Sequence, residues 1–303
     1  MDPKSAKLMS LPRSFPVLQT RLEIYARLVR LDRPVGIWLL LWPTLWSLWL
    51  VSGGLPATRL LLIFIAGVVL MRSAGCAIND YADRKLDRQV ARTRNRPLAQ
   101  GEIPPREALW VAAVLLGCAL GLALMLPPLT LALAVPAVLL VATYPFAKRW
   151  HHLPQLHLGL AFAWAVPMAI SAYTGDWLEP WGWLAFIATV LWVVAYDTLY
   201  AMADREEDLA AGNRSTAILF GSADLFMVGL LQGLFLLTLL LLGIRLSLPL
   251  AYYGGLAAAL VLVASQMWRV RSRHPEACFR AFGNNVWVGA AIWVGIVLAT
   301  AGP

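Results

Sequence analysis

Nine apolar stretches, each long enough to cross a bilayer as a helix, constrain this chain more than any other feature. They lie near 34–52, 59–78, 107–126, 129–146, 156–174, 180–202, 223–244, 248–268 and 282–301. About 20 helical residues cover the hydrocarbon core, whereas a barrel strand needs only about half that number. In lipid each backbone N–H and C=O has to be satisfied within the protein, so runs of this length read as helices. Only the Pro127–Pro128 corner separates the third stretch from the fourth, and a combined length of about forty residues calls for two spans. The composition agrees. Of 303 residues, 60% are hydrophobic and 14% charged, and the mean hydropathy of +0.67 lies outside the range of soluble domains. The expected fold class is an all-α integral membrane protein, with about nine transmembrane helices in one bundle and a cap of loops on the cytoplasmic side. A basic amphipathic N-terminal segment, 1–33, precedes the polytopic bundle, 34–303.

Positive residues near span ends are retained on the cytoplasmic side. Lys and Arg number seven in the N-terminal segment, seven in 79–106, two in 147–155, two in 203–222 and four in 269–281. The alternate loops hold only Arg59 and Arg245. The N-terminus is therefore expected inside and the C-terminus outside. This asymmetry accounts for much of the net charge of +8, and no nucleic-acid partner is needed to explain it. Between Val17 and Leu31, the residues Leu18, Leu22, Tyr25 and Leu28 recur at helical spacing while Arg21, Arg27 and Arg30 occupy other faces. That pattern suits a helix lying on an anionic membrane surface. A short mitochondrial transit peptide is the rival reading of the first twenty residues.

Several residue types point to packing rather than chemistry. Cys76, Cys118 and Cys278 are far apart in or beside apolar segments, the usual setting of core thiols. His151, His152, His157 and His274 lack metal-binding spacing and read as interfacial. Gly117 and Gly121 match the small-xxx-small spacing of tightly packed helices. Arg72 differs, because an ionisable residue inside a span must find a partner or serve a site. It precedes Asn79 by about two helical turns on the same face.

The chemistry concentrates where two apolar spans end. In "NDYADRKLD", Asn79, Asp83 and Asp87 follow i, i+4, i+8 spacing and drift by only about 80° around a helix, while Asp80 points elsewhere. In "YDTLYAMADREED", Asp197, Asp204 and Asp208 share a stripe about 40° wide, with Tyr200 on the same side. Both clusters end even-numbered spans and share the predicted cytoplasmic side, so they can meet. A charge run after a span is usually a solvated loop. Two facing carboxylate stripes, however, would repel unless a cation stood between them. Asp and Asn oxygens suit Mg²⁺, which commonly completes its shell with water and substrate phosphates. Nearby Arg84, Lys85, Arg88, Arg92, Arg94, Arg96, Arg205 and Arg214 would oppose a free metal but suit a metal with diphosphate. An apolar bundle above that mouth can hold a long hydrocarbon tail.

These motifs, N79-x3-D83-x3-D87 before "RTRNRPLAQG" and D197-x2-Y200-A-x2-D204-x3-D208 before "GNRSTAILFG", resemble the signature loops of the UbiA superfamily of membrane prenyltransferases. "LDRPVGIWLLLWPTLW", "YPFAKRWHHLPQLHLG" and "YDTLYAMADREED" are similar to the 4-hydroxybenzoate polyprenyltransferase branch. The resemblance implies an Mg²⁺-dependent transfer of a polyprenyl group from polyprenyl diphosphate to 4-hydroxybenzoate, ortho to its hydroxyl, in ubiquinone synthesis at the bacterial inner membrane. By the same resemblance, Asn79, Asp83 and Asp87 hold one metal–diphosphate face and Asp204 and Asp208 the other. Asp197 accepts a hydrogen bond from the phenol, and Tyr200 stands beside it. Trp192, Tyr196 and Tyr200 are candidates to face the cavity. Arg149 is the first choice for the aromatic carboxylate and Arg84 the second. Arg33, Arg92, Arg96, Lys148 and Arg214 are diphosphate contacts. An ion channel would need acids near the midplane and on both sides, but Asp176 and Glu179 are the outer-loop acids. An intramembrane aspartyl protease would need a second buried Asp in a Gly-Asp context, and no span carries one.

Overall fold

In a computed structural model of the chain, residues 14–88 and 93–301 are described, with side chains from residue 21 onward. The helices run α1 (Ser14–Leu28), α2 (Val35–Ser52), α3 (Thr58–Asp83), α4 (Pro97–Gln100), α5 (Pro105–Ala123), α6 (Pro128–Trp150) and α7 (Pro154–Ala163). They continue through α8 (Ala165–Thr174), α9 (Pro180–Ala203), α10 (Arg205–Ala210), α11 (Thr216–Phe220), α12 (Asp224–Arg245), α13 (Leu250–Arg269) and α14 (Pro275–Thr300). Among the described residues, nine helical segments are long and apolar enough to cross a membrane. The chain is a multi-pass membrane protein.

Proline begins many of these helices. Pro97, Pro105, Pro128, Pro154, Pro180 and Pro275 occupy the first turn, where a missing N–H costs nothing and the fixed φ is already helical. Two turns between spans close through left-handed glycines, Gly53 at φ 63° after α2 and Gly175 at φ 76° after α8, a conformation that Cβ disfavours in other residues. The fifth span is broken into α7 and α8 at Trp164. Pro167 has no N–H to offer the Ala163 carbonyl, which loosens the ladder there. The Trp164 indole instead donates to the Leu133 carbonyl of α6 at 2.8 Å.

The centre of the bundle is formed by α2 and α9, which are the most buried spans, whereas α5 and α6 are the least buried. Trp46 of α2, Trp192 of α9 and Phe235 of α12 stack there, with Trp192 and Phe235 centroids 5.7 Å apart. The Trp192 N–H donates to Asn285 Oδ1 of α14 at 2.9 Å, which satisfies a polar atom that lipid or core could not. Close backbone approach occurs at Gly289, where a Cβ would fall 2.2 Å from the Trp42 ring, and between Gly255 and Gly295, where it would fall 2.7 Å from Cα. At Gly117 and Gly121 nothing lies within 4 Å and both are exposed. The expected close-packing pair is therefore misplaced, because spacing reports which face a residue occupies and not whether another helix covers it. Cys118 is likewise exposed, while Cys76 and Cys278 are buried as expected.

The N-terminal helix does more than lie on a surface. Leu28 of α1 is fully buried in a cluster with Ala77, Leu98, Ile103, Ala108 and Ala112. Arg21 and the Tyr25 hydroxyl donate to Glu107, and Arg27 donates to Glu102. These contacts fasten α1 to the start of α5, beside the first acidic loop. Leu22 remains exposed, and the Leu18 side chain lies outside the described residues.

Candidate active site

Helix α3 does not stop where its apolar run stops. It continues to Asp83, and Arg84 keeps right-handed helical dihedrals, so the Asp87 N–H still donates to the Asp83 carbonyl at 2.9 Å. The second loop repeats this device. Helix α9 ends at Ala203, α10 begins at Arg205, and the Asp208 N–H donates to the Asp204 carbonyl at 2.8 Å. Each pair of acids is thus held one turn apart across a helix end. That is what the i, i+4 spacing predicts.

The two stripes line one cavity of about 990 Å³. Asn79, Asp83 and Asp87 come from α3 and the turn after it, and Asp197, Asp204 and Asp208 from α9, the junction after it and α10. Apolar and aromatic groups continue the wall, among them Leu39, Met71, Tyr144, Leu158, Tyr196 and Phe282. Tyr200 lies in the lining and meets Phe282 edge to face at 4.9 Å. Trp192 does not line the cavity; it belongs to the packed core.

Basic side chains hold the first stripe. Lys148 Nζ is 2.6 Å from Asp83 Oδ2, and Arg149 Nη2 is 3.2 Å from Asp83 Oδ1. Arg96 Nη1 bridges Asp87 Oδ2 at 2.9 Å and Asp80 Oδ1 at 3.1 Å, and Arg30 Nη2 completes Asp80 at 2.8 Å. Asp80, Asp83 and Asp87 are all buried, at 1%, 4% and 6% exposure. For Asp87, burial outweighs the Arg96 guanidinium and pushes the carboxyl above its usual range. In the second stripe, Asn213 donates through its amide to Asp208 Oδ1 at 3.0 Å.

The remaining expected residues divide by position. Lys148, Arg96, Arg214 and Arg33 line the cavity. Arg214 Nη1 also donates to the Trp150 carbonyl at 2.8 Å, and Arg33 stands near Asp32. Arg149 is not in the lining and touches the site through Asp83. Arg84 lies over the Tyr81 ring at 4.4 Å and donates to the Tyr81 carbonyl, also away from the lining. Arg92 lies outside the described residues. Arg72 does line the cavity, with its guanidinium against Gly36. Its Nε and the Tyr196 hydroxyl have no hydrogen-bond partner among the described residues.

Sequence reasoning missed two supports. Arg30 and Asp80 tie the turn after α1 to α3, and the signal for Asp80 was an acid at the end of an apolar span, off the stripe and with its own need for a partner. The second support is Asp224, fully buried at the start of α12, which accepts from Arg205 and from Arg273. Arg205 is the residue between Asp204 and the rest of α10, so this pairing fastens the second acidic loop to α12 and to the loop before α14. No spacing rule joins these three residues.

Residues 40–300 match the UbiA prenyltransferase family. The chain belongs to that family. It is 52% identical to a 4-hydroxybenzoate octaprenyltransferase of Alkalilimnicola ehrlichii, over 93% of this chain and 96% of that protein. A second 4-hydroxybenzoate octaprenyltransferase, from Nitrosococcus oceani, is 55% identical over 93% of this chain and 98% of the relative. The fold is similar to the apo structure of a UbiA homolog from Aeropyrum pernix, with a TM-score of 0.76 and 26% identity, covering 87% of this chain and 97% of that one. It is also similar to a UbiA homolog from Archaeoglobus fulgidus bound to GPP and Mg²⁺, with a TM-score of 0.72 and 18% identity, covering 91% of this chain and 99% of that one.

The donor set of this chain fits such a metal. It is built from carboxylate and amide oxygens, the chemistry that hard divalent ions prefer. Among the described residues no three acids or other ligands converge into a ready cage. Magnesium characteristically leaves part of its shell to water and phosphate.

Proposed function

We propose that this chain is an aromatic prenyltransferase that moves a polyprenyl group from polyprenyl diphosphate to 4-hydroxybenzoate, in ubiquinone biosynthesis. The observation that carries the reading is the meeting of two acidic stripes on one cavity whose other walls are apolar and aromatic. The 4-hydroxybenzoate octaprenyltransferases at 52% and 55% identity support the choice of acceptor.

Asn79, Asp83 and Asp87 on one side, and Asp204 and Asp208 on the other, are the residues that would hold Mg²⁺. When bound, Mg²⁺ neutralises charge on the leaving diphosphate. Arg96, Lys148 and Arg214, with Arg33 in the same lining, add positive charge where negative charge grows, which lowers the barrier to dissociation. The Arg92 role rests on sequence position alone. The allylic C–O bond breaks, and the electron-poor carbon is sheltered by Tyr144, Tyr196, Tyr200 and Phe282, whose ring faces favour positive charge and exclude water. Asp197 accepts a hydrogen bond from the phenol, which raises electron density at the ortho carbon. A C–C bond forms there, and the ring proton passes to the released diphosphate, which restores aromaticity. For the carboxylate of 4-hydroxybenzoate, a planar guanidinium fork is the natural partner. Of Arg149, Arg84 and Arg72, Arg72 is the one in the cavity lining, and its unpartnered Nε favours it over the first two.

The Lys and Arg distribution supports a site on the cytoplasmic side, with the N-terminus inside and the C-terminus outside, and the bacterial relatives support the inner membrane. The same reading separates a basic segment, 1–33, from the catalytic bundle, 34–303. The test is an assay of membranes containing the chain, supplied with 4-hydroxybenzoate and a polyprenyl diphosphate, with Mg²⁺ or with a chelator. A prenylated benzoate that forms only with metal supports the reading. Its absence, or prenylation of a different acceptor only, contradicts it.

A further inference from the structure

The residues read as metal ligands and those read as diphosphate contacts are bound to each other. Lys148 and Arg149 occupy the two oxygens of Asp83, and Arg96 occupies Asp87. We propose that these basic side chains are placeholders that occupy the metal-binding carboxylates until metal and diphosphate arrive together, and that Lys148 and Arg96, which line the cavity, then transfer to the phosphate oxygens. The proposal rests on the prenyl diphosphate reading of the cavity.

An oxygen in the first shell of Mg²⁺ sits about 2.1 Å from the ion, and Asp83 Oδ2 already has an ammonium at 2.6 Å. Two cations cannot share that oxygen at low cost where water is scarce. Asp83 is 4% exposed and Asp87 6% exposed, so solvent does little to screen the repulsion. A free dication therefore meets a stripe whose charge is already cancelled. Bare diphosphate meets bases whose donors are already engaged. A metal–diphosphate pair replaces both halves at once, giving the carboxylates a cation and the bases an anion. The placeholders also spare the buried acids an unpaired state between turnovers, which would be costly. Lys148 and Arg96 both line the cavity and have long, flexible stems, so a short swing carries each from carboxylate to phosphate.

The inference is tested by Mn²⁺ binding to the full chain in lipid nanodiscs, read by electron paramagnetic resonance, with and without inorganic pyrophosphate. The wild-type chain is expected to bind Mn²⁺ weakly alone and at least about tenfold more tightly with pyrophosphate, the size of effect that one neighbouring charge commonly has on a carboxylate. In the Lys148→Gln/Arg149→Gln variant, Mn²⁺ alone is expected to bind about tenfold more tightly than to wild type, and pyrophosphate is expected to add less. Arg96→Gln gives the same crossed pattern through Asp87. Adding Asp83→Asn to the double variant removes the gain. Unchanged or weaker Mn²⁺ binding by both neutralised variants without pyrophosphate overturns the proposal, as does a gain that survives Asp83→Asn. Product formation is read separately in the membrane assay, so failure of the functional reading and failure of the exchange give different results.

Discussion

Arg273 Nε donates to Asp224 Oδ1 at 2.9 Å, joining the loop before α14 to the first residue of α12. The other oxygen of Asp224 accepts from Arg205, the first residue of α10. A fully buried carboxylate with two guanidinium partners from different loops fixes where α10 starts, and α10 carries Asp208.

Replacing Asp224 by Ala is expected to destabilise the protein by about 2 kcal/mol, since it leaves two partly exposed guanidinium groups without their acceptor. The more telling readout is the metal requirement. The Mg²⁺ concentration for half-maximal rate should rise several-fold while the KM for 4-hydroxybenzoate stays unchanged. A thermal melt in detergent and a Mg²⁺ titration of initial rate check both.

Asp197→Asn is expected to lower turnover by about a hundredfold or more, the range in which a positioned acid or base contributes. Diphosphate affinity should be preserved, because Asp83, Asp87, Asp204 and Asp208 are intact. Unchanged turnover at saturating substrate would remove Asp197 from the chemistry.

Arg72→Met and Arg149→Met separate the guanidinium that the sequence put first, Arg149, from the one that lines the cavity, Arg72. Loss of a charge-assisted hydrogen bond to the aromatic carboxylate is worth about 1.5–3 kcal/mol. The Arg72→Met KM for 4-hydroxybenzoate should therefore rise by more than about tenfold. Arg149→Met should leave that KM in place and alter the Mg²⁺ dependence through Asp83. The opposite pattern would return the carboxylate to Arg149.

Gly255→Ala and Gly117→Ala make a packing test. The first adds a methyl 2.7 Å from the Gly295 Cα and should cost about 1–3 kcal/mol as overpacking. At Gly117 the methyl meets nothing within 4 Å, so helix propensity alone acts and stability should hold or rise by up to about 1 kcal/mol. Melting temperatures in one detergent decide it.

The spans were legible because the bilayer imposes a length and a polarity on every crossing segment, and the nine stretches from Val35 to Thr300 carry that imprint. The acid stripes were legible because i, i+4 spacing survives the ends of α3 and α9, where Asp83 to Asp87 and Asp204 to Asp208 keep helical backbone bonds. Helix ends were less so. The apolar run of α3 fades at Ile78, but the helix reaches Asp83 because Arg30, Arg96 and Lys148 stand ready to neutralise its acids. Pairings between distant segments left no sequence trace. Spacing within one helix says nothing of Asp224 with Arg205 and Arg273, or of an uncovered helix face at Gly117. Arg84 and Arg149 illustrate a related limit. Each is close in sequence to a stripe residue or its partner, but side-chain direction turns one onto Tyr81 and the other onto Asp83.

Whether the two stripes act as one site is measured most directly by prenylation of 4-hydroxybenzoate by the chain reconstituted in vesicles with saturating Mg²⁺. Wild type should form the prenylated product, and Asp83→Asn and Asp204→Asn should each lose about a hundredfold or more in rate, since each removes a ligand from one face of a shared metal–diphosphate site. Near-wild-type rates in either variant would contradict the account.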